Sequence, residues 1–331
     1  MVSVSSHWTW LKAGNQMIDD EVLQFVSRGE PARLQQIIWQ CLSEKISPAI
    51  AVMQLLIETE DAESVENFLN VVMNKVSSRP STIGERERIA ELQRLFRENR
   101  EGCTRIVRML RGGVNASALG SSPEDRLVRL AELYNWAVHQ SEEASVALYS
   151  LGSSQLLQTA TAEVIALLDT WKVLGRERIV LQVGCGIGRF EAALASRVRE
   201  AHGIDIAPGM VEAARRRCIR LENVFFQVGS GHDLTPFATG MFDLVYVVDT
   251  CPCLHQAGPT LLEQHFAEVA RVLKPGGDFV ILNFTYRSEP EADVLDIQML
   301  ARRHGFEIVV NGSRPLKLWD GRAWWLRHAR R

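Results

Sequence analysis

Residues 179–190 read IVLQVGCGIGRF, and residues 201–205 read AHGID. The first stretch is a short apolar run that ends in a glycine turn and opens a helix. Glycine at 184, 186 and 188 lets the backbone approach a ligand where a Cβ would collide. Asp205 closes the second apolar run, 21 residues beyond Gly184. At that spacing a carboxylate can accept both hydroxyl protons of a ribose. Each element alone is a weak sign; in strand–turn–helix–strand order they indicate a nucleoside-containing cofactor. The third glycine selects among such cofactors. A dinucleotide fingerprint needs G-x-G-x-x-G. Here the sixth position is Arg189 and the glycines run G-x-G-x-G, which argues against NAD.

Outward from this turn, strand and helix signals alternate. They fall at Phe190–Val198, Ala201–Asp205, Met210–Leu221, Val224–Val228, Phe242–Val248, Thr260–Leu273, Asp278–Phe284, Ala292–His304 and Phe306–Val310. Such alternation predicts βαβ units and a mainly parallel sheet. A last segment, Trp324–His328, is expected to pair antiparallel with its neighbour after an Asp320-Gly321 turn. The fold class is therefore α/β.

Four ordered stretches resemble the class I S-adenosylmethionine-dependent methyltransferases: VLQVGCGIGRF (180–190), GIDIAPGMVEAARRR (203–217), FDLVYVVDT (242–250) and RVLKPGG (271–277). The resemblance covers about 178–331. It implies a Rossmann-like, seven-stranded sheet with the last strand reversed, and S-adenosyl-L-methionine as cofactor. It also implies that Gly184, Cys185, Gly186 and Gly188 lie against the cofactor. Asp205 would hold the ribose, and Ile206 and Met210 would lie near the adenine. Two positions depart from the family. Gln182 stands where an acid usually helps hold the methionine amino group; the amide keeps an acceptor oxygen and loses the charge. After the third strand, Ser230 and Gly231 replace the usual adenine-reading acid, and their backbone would serve instead.

Methyl transfer from a sulfonium is an in-line displacement, to which a protein contributes alignment and, for a protonated acceptor, a base. The acceptor pocket is expected beyond the fourth strand, at residues 248–255 (VDTCPCLH). His255 is the leading base, because imidazole exchanges protons near neutrality. Asp249 is expected to orient the acceptor or that histidine. Cys253 after Pro252 suggests the nucleophile of a cytosine-C5 methyltransferase, but the other motifs of those enzymes are absent. An amino-directed nucleic-acid enzyme would need a Pro-Pro-aromatic motif here. No metal is expected: read as extended chain, Cys251 and His255 would lie about 13 Å apart, too far to share one zinc ion.

The chain has 331 residues, 46% hydrophobic and 23% charged, with a net charge of −3. That leaves room for two folded domains and gives no broad electrostatic footprint for nucleic acid. No apolar stretch is long enough to span a bilayer, and no signal-peptide pattern opens the chain. Six cysteines without CxxC spacing predict a reducing cytoplasm.

Residues 1–111 read as an all-helical domain, 112–122 as a linker, 123–177 as helices covering the cofactor site, and 178–331 as the catalytic domain. Ser47-Pro48 and Ser122-Pro123 each predict a capped helix start. On the covering helices, Tyr134, Trp136 and Tyr149 are candidates to close over the cofactor, Tyr149 foremost. Within the first domain, Glu85–Arg111 predicts one long helix. Its seam of Ile89, Leu92, Phe96, Cys103, Ile106 and Leu110 suits a partner helix, so a homodimer through the N-terminal helices is expected. The function expected is methyl transfer to a small-molecule acceptor through O, N or S. The alternatives are a protein or RNA methyltransferase docking through the helical domain, or a non-catalytic cofactor-binding assembly protein.

Overall fold

The computed structural model describes residues 31–78, 83–112, 122–287 and 290–330. Two compact units emerge: one from residues within Met1–Ser117, Gln140–Ala160 and Lys317–Asp320, the other from residues within Ala118–His139, Thr161–Leu316 and Gly321–Arg331. The linker expected at 112–122 lies almost wholly outside the described residues.

The first unit is helical. Its elements are α1 (Ala32–Leu42), α2 (Pro48–Thr59), α3 (Ala62–Ser77), α4 (Ile83–Glu98), α5 (Arg100–Gly112), the short α7 (Glu142–Val146) and a 3₁₀ turn at Leu148–Ser150. Local chemistry sets the starts. The Ser47 hydroxyl accepts from the Ile50 N–H, with Pro48 at the first helical position. The Asp61 carboxylate does the same for α3 through the Ser64 N–H.

The long helix expected over Glu85–Arg111 is two helices, interrupted at Asn99. The Asn99 amide donates to the Leu95 carbonyl four residues back, so its side chain competes with the helical ladder. The seam residues Ile89, Leu92, Phe96, Cys103, Ile106 and Leu110 are all buried within the single chain. Residues of α3 and α2 pack against these two helices. The seam thus fills its own unit's core, which removes the apolar face on which the homodimer expectation rested.

The second unit carries the sheet. In chain order its elements are α6 (Pro123–Gln140), α8 (Ser154–Thr170, which begins in the first unit), β1 (Ile179–Val183), α9 (Arg189–Leu194), β2 (Glu200–Asp205), α10 (Pro208–Arg217), β3 (Val224–Val228), β4 (Phe242–Val248), α11 (Cys251–Ala257), α12 (Pro259–Val272), β5 (Leu273–Leu282), α13 (Pro290–Arg303), β6 (Phe306–Ser313) and β7 (Ala323–His328). The seven strands run in the order β3-β2-β1-β4-β5-β7-β6. β7 alone is reversed, antiparallel to both β5 and β6. The reversal between β6 and β7 takes residues 314–322 rather than the two-residue turn expected at Asp320-Gly321.

Every residue of β1 is buried, as its apolar run requires of a central strand. On one face, Leu181, Val183, Val245, Val247, Phe279 and Ile281 pack with Leu254, Phe266 and Ile297 from the following helices. Gln182 and its register partner Tyr246 point to the other face. Strand order turns back between β1 and β4, and ligands of open α/β sheets bind at the carboxyl ends beside such a point. No helix of the described residues is long and apolar enough to cross a membrane.

Candidate functional site

The turn after β1 is shaped by its backbone. Gly184, Gly186 and Gly188 all have positive φ, at 75°, 52° and 69°. A Cβ on Gly184 would stand 2.2 Å from the Thr250 hydroxyl oxygen. That hydroxyl donates to the Val183 carbonyl at 2.9 Å, so β1 and the end of β4 are tied where the turn begins. The Gly184 and Cys185 N–H groups both donate to the Ile204 carbonyl on β2.

Asp205, at the end of β2, receives one backbone N–H on each carboxylate oxygen: Gly186 on Oδ2 and Ala207 on Oδ1, both at 2.9 Å. Burial raises its pKa above the ordinary carboxylate value, and these donors oppose the rise. A carboxylate has about four lone-pair sites, so capacity remains for a ribose diol. The same stretch sets the neighbouring apolar wall. Met210 is buried on α10, and the Cγ2 of Ile206 would touch a Cβ placed on Gly231 at 2.8 Å. Leu127 of α6 closes on that same point, and the Asn135 side chain of α6 accepts from the Gly209 N–H at 2.7 Å. Neither α6 residue was indicated by the sequence motifs. Ser230 is exposed and accepts from the His232 N–H.

Gln182 is buried at 2% exposure. Its amide nitrogen donates to the Gly184 carbonyl at 3.3 Å, and its Oε1 has no hydrogen-bond partner among the described residues. An orphaned acceptor beside a glycine cradle and a half-used carboxylate fits a nucleoside bearing an amino-acid tail. Tyr149 stands in the 3₁₀ turn of the helical unit, buried and stacked on Trp319 at 6.0 Å between ring centroids.

The acceptor side has a different construction. Residues 251–255, read as extended from the sequence, belong to the short helix α11, with Pro252 in its first turn. The distance argument against a shared metal therefore lapses, because Cys251 and His255 fall one helical turn apart. Among the described residues, no group of three or more His, Cys, Asp and Glu side chains is arranged to hold a metal ion. Burial pushes the Cys253 thiol up to about 11, against the lowering effect of its 3.3 Å contact with the Tyr134 hydroxyl. A thiol so held stays protonated at neutral pH, which disfavours it as a nucleophile.

Asp249 adopts φ +61°, a left-handed conformation uncommon outside glycine. It is held there from the segment just after β5. The Asn283 amide donates to Oδ1 at 2.8 Å, and the Tyr286 hydroxyl donates to the same oxygen in a short bond. Asn283 is itself left-handed, at φ +67°. Sequence reasoning missed both partners; the polar residues that follow the apolar run of β5 were the available signal. His255 is half-buried in the last turn of α11 and makes no hydrogen bond or ion pair among the described residues. The structure thus brings Asp249 to Asn283 and Tyr286 rather than to His255.

A parallel sheet ordered in this way, one reversed strand beside its edge, and a glycine turn facing an acid at the end of β2 define the class I methyltransferase architecture. Residues 181–281 match the family described as a methyltransferase domain, and this part of the chain is a class I S-adenosylmethionine-dependent methyltransferase domain. A demethylmenaquinone methyltransferase of Tropheryma whipplei is 36% identical over 107 residues, 32% of this chain and 42% of that protein. A ubiquinone biosynthesis O-methyltransferase of Xanthomonas oryzae pv. oryzae is 35% identical over 99 residues, 30% of this chain and 39% of that protein. The chain spans about two-fifths of the length of these curated relatives. Phosphoethanolamine N-methyltransferase 1 of Haemonchus contortus, solved with phosphoethanolamine and S-adenosylhomocysteine, shares the fold at a TM-score of 0.50. It is 18% identical, and the match covers 63% of this chain and 49% of that one.

Proposed function

We propose that the protein transfers a methyl group from S-adenosyl-L-methionine to a small-molecule acceptor with an O, N or S nucleophile. The observation that carries the cofactor half is Asp205, pinned by two backbone amides across from the glycine turn. The acceptor half is supported by the relatives named for demethylmenaquinone and ubiquinone biosynthesis, which act on small molecules. It is also supported by the polar cluster at the carboxyl ends of β4 and β5. The chain's net charge of −3 gives nucleic acid little purchase.

In this reading Gly184, Cys185, Gly186 and Gly188 admit the cofactor to the backbone. Asp205 holds the ribose, Ile206 and Met210 flank the adenine, and Ser230 and Gly231 face its edge. The cofactor supplies an electrophilic methyl on a good leaving group. The protein's share is alignment and, for a hydroxyl or protonated amine, removal of a proton. Asp249 is fixed by Asn283 and Tyr286, so its role is to orient the acceptor. His255, which makes no hydrogen bond or ion pair among the described residues, takes the acceptor proton. The proposed setting is a reducing cytoplasm, in keeping with six cysteines that are all free. Incubating the full chain with methyl-labelled cofactor and fractionated metabolite pools tests the reading. Label in a small molecule supports it; label only in protein or RNA overturns the acceptor class.

A further inference from the structure

On the Gln182 face of the sheet, a second buried oxygen also finds no donor among the described residues: Oε2 of Glu191. Glu191 is fully buried in the first turn of α9, directly after the glycine turn. Its other oxygen accepts from the Tyr246 hydroxyl at 3.5 Å, the outer limit for such a bond. Tyr246 is the register partner of Gln182 on the neighbouring strand. Gln182 in turn holds the Gly184 carbonyl through its amide nitrogen, so its orphaned acceptor is the end turned from the turn's backbone. Two buried oxygens without a partner among the described residues therefore sit on one strand pair, Gln182 on β1 and Glu191 against Tyr246 of β4. Leaving such groups unmatched costs free energy, and most of all for a carboxyl. Arg189, a cation that faces Glu191 from the same helix, donates instead to the Thr161 hydroxyl and lies over the Phe190 ring.

We propose that Glu191 supplies the anionic contact for the amino group of the cofactor's amino-acid tail, with the Gln182 amide oxygen as a neutral second acceptor. The charge missing at position 182 is then carried by the helix instead of the strand. The inference rests on the cofactor assignment above and adds a residue that the glycine motif does not contain.

Among the described residues, the groups facing Glu191 are Arg189 from its own helix, Cys185 from the turn, Tyr246 from β4, Asp205 from β2 and Cys218 at the end of α10. Burial dominates this setting and pushes the Glu191 acid up to about 8, so without ligand it keeps its proton at pH 7. An ammonium beside it favours the carboxylate, and the proton passes to buffer. Affinity for an amino-bearing ligand then rises with pH toward about 8.

Calorimetry on the full chain tests this with two probes: S-adenosylhomocysteine, and 5′-methylthioadenosine, which lacks the amino-acid tail. For the wild type, the heat with S-adenosylhomocysteine at pH 7 should vary with buffer ionisation enthalpy in the sense of proton release, and that with methylthioadenosine should not. Glu191→Gln should weaken S-adenosylhomocysteine about 10- to 100-fold, leave methylthioadenosine unchanged and abolish the proton release. Adding Gln182→Glu to Glu191→Gln should restore affinity by returning the charge to β1. Unchanged binding of S-adenosylhomocysteine by Glu191→Gln, equal losses for both probes, buffer-independent heat in the wild type, or no rescue in the double variant would each overturn the proposal. A wild type that binds neither probe would overturn the cofactor assignment itself.

Discussion

The two halves of the candidate site are made of different material. The cofactor half is backbone: three left-handed glycines, two N–H groups on Asp205 and two more on the Ile204 carbonyl. Most of it lies in one stretch, residues 182–210. The acceptor half is side chain: Asp249 held by Asn283 and Tyr286, Cys253 against Tyr134, and His255 on a single turn of helix beyond. Its members come from three distant parts of the chain. A backbone cradle tolerates no added atoms and recognises what every cofactor of its class shares. A side-chain cluster can be rebuilt residue by residue, so it is where acceptor choice resides.

This contrast can be broken most severely at Gly184. Gly184→Ala places a Cβ against Thr250 and forces a left-handed alanine. It should abolish binding of S-adenosylhomocysteine in calorimetry and lower stability by about 2–4 kcal/mol in a denaturant melt. Near-normal binding would mean that the cradle is not backbone-determined.

Next in size is His255→Ala, which should lower kcat about 10²–10⁴-fold for a hydroxyl or amine acceptor while cofactor affinity holds. A thiol acceptor, already partly ionised at neutral pH, should show a much smaller loss, so the same assay sorts acceptor classes. If cofactor affinity fell with kcat, the two halves would not be separable.

Asp205→Ala should weaken S-adenosylhomocysteine by about 1.5–3 kcal/mol, the cost of a lost charge-assisted partner, and NAD should not compete with it. Equal calorimetric affinity in the variant would remove Asp205 from the site. The smallest effect belongs to Tyr286→Phe, which deletes one donor to Asp249. A kcat about tenfold lower with unchanged cofactor binding would sharpen the division of labour. A fall in cofactor affinity would blur it.

The sequence by itself determined the sheet, the glycine turn and the acid at Asp205. Apolar period and left-handed backbone are local demands that only certain residues meet, so they are written where they act. Gln182 was legible in the same way, as a departure at a known place. What the tertiary structure decided is the rest of the polar wiring. Cys251–His255 is helical although it reads as extended chain, and Asp249 answers to the segment after β5 rather than to His255. Glu191 is an unremarkable helical glutamate in sequence; it matters because β4 brings Tyr246 to it and burial leaves its second oxygen without a donor. The seam of the N-terminal helices likewise announced an apolar contact, but not with whom. Burial and hydrogen-bond partnership depend on which distant segments the fold sets side by side, and no local pattern records that.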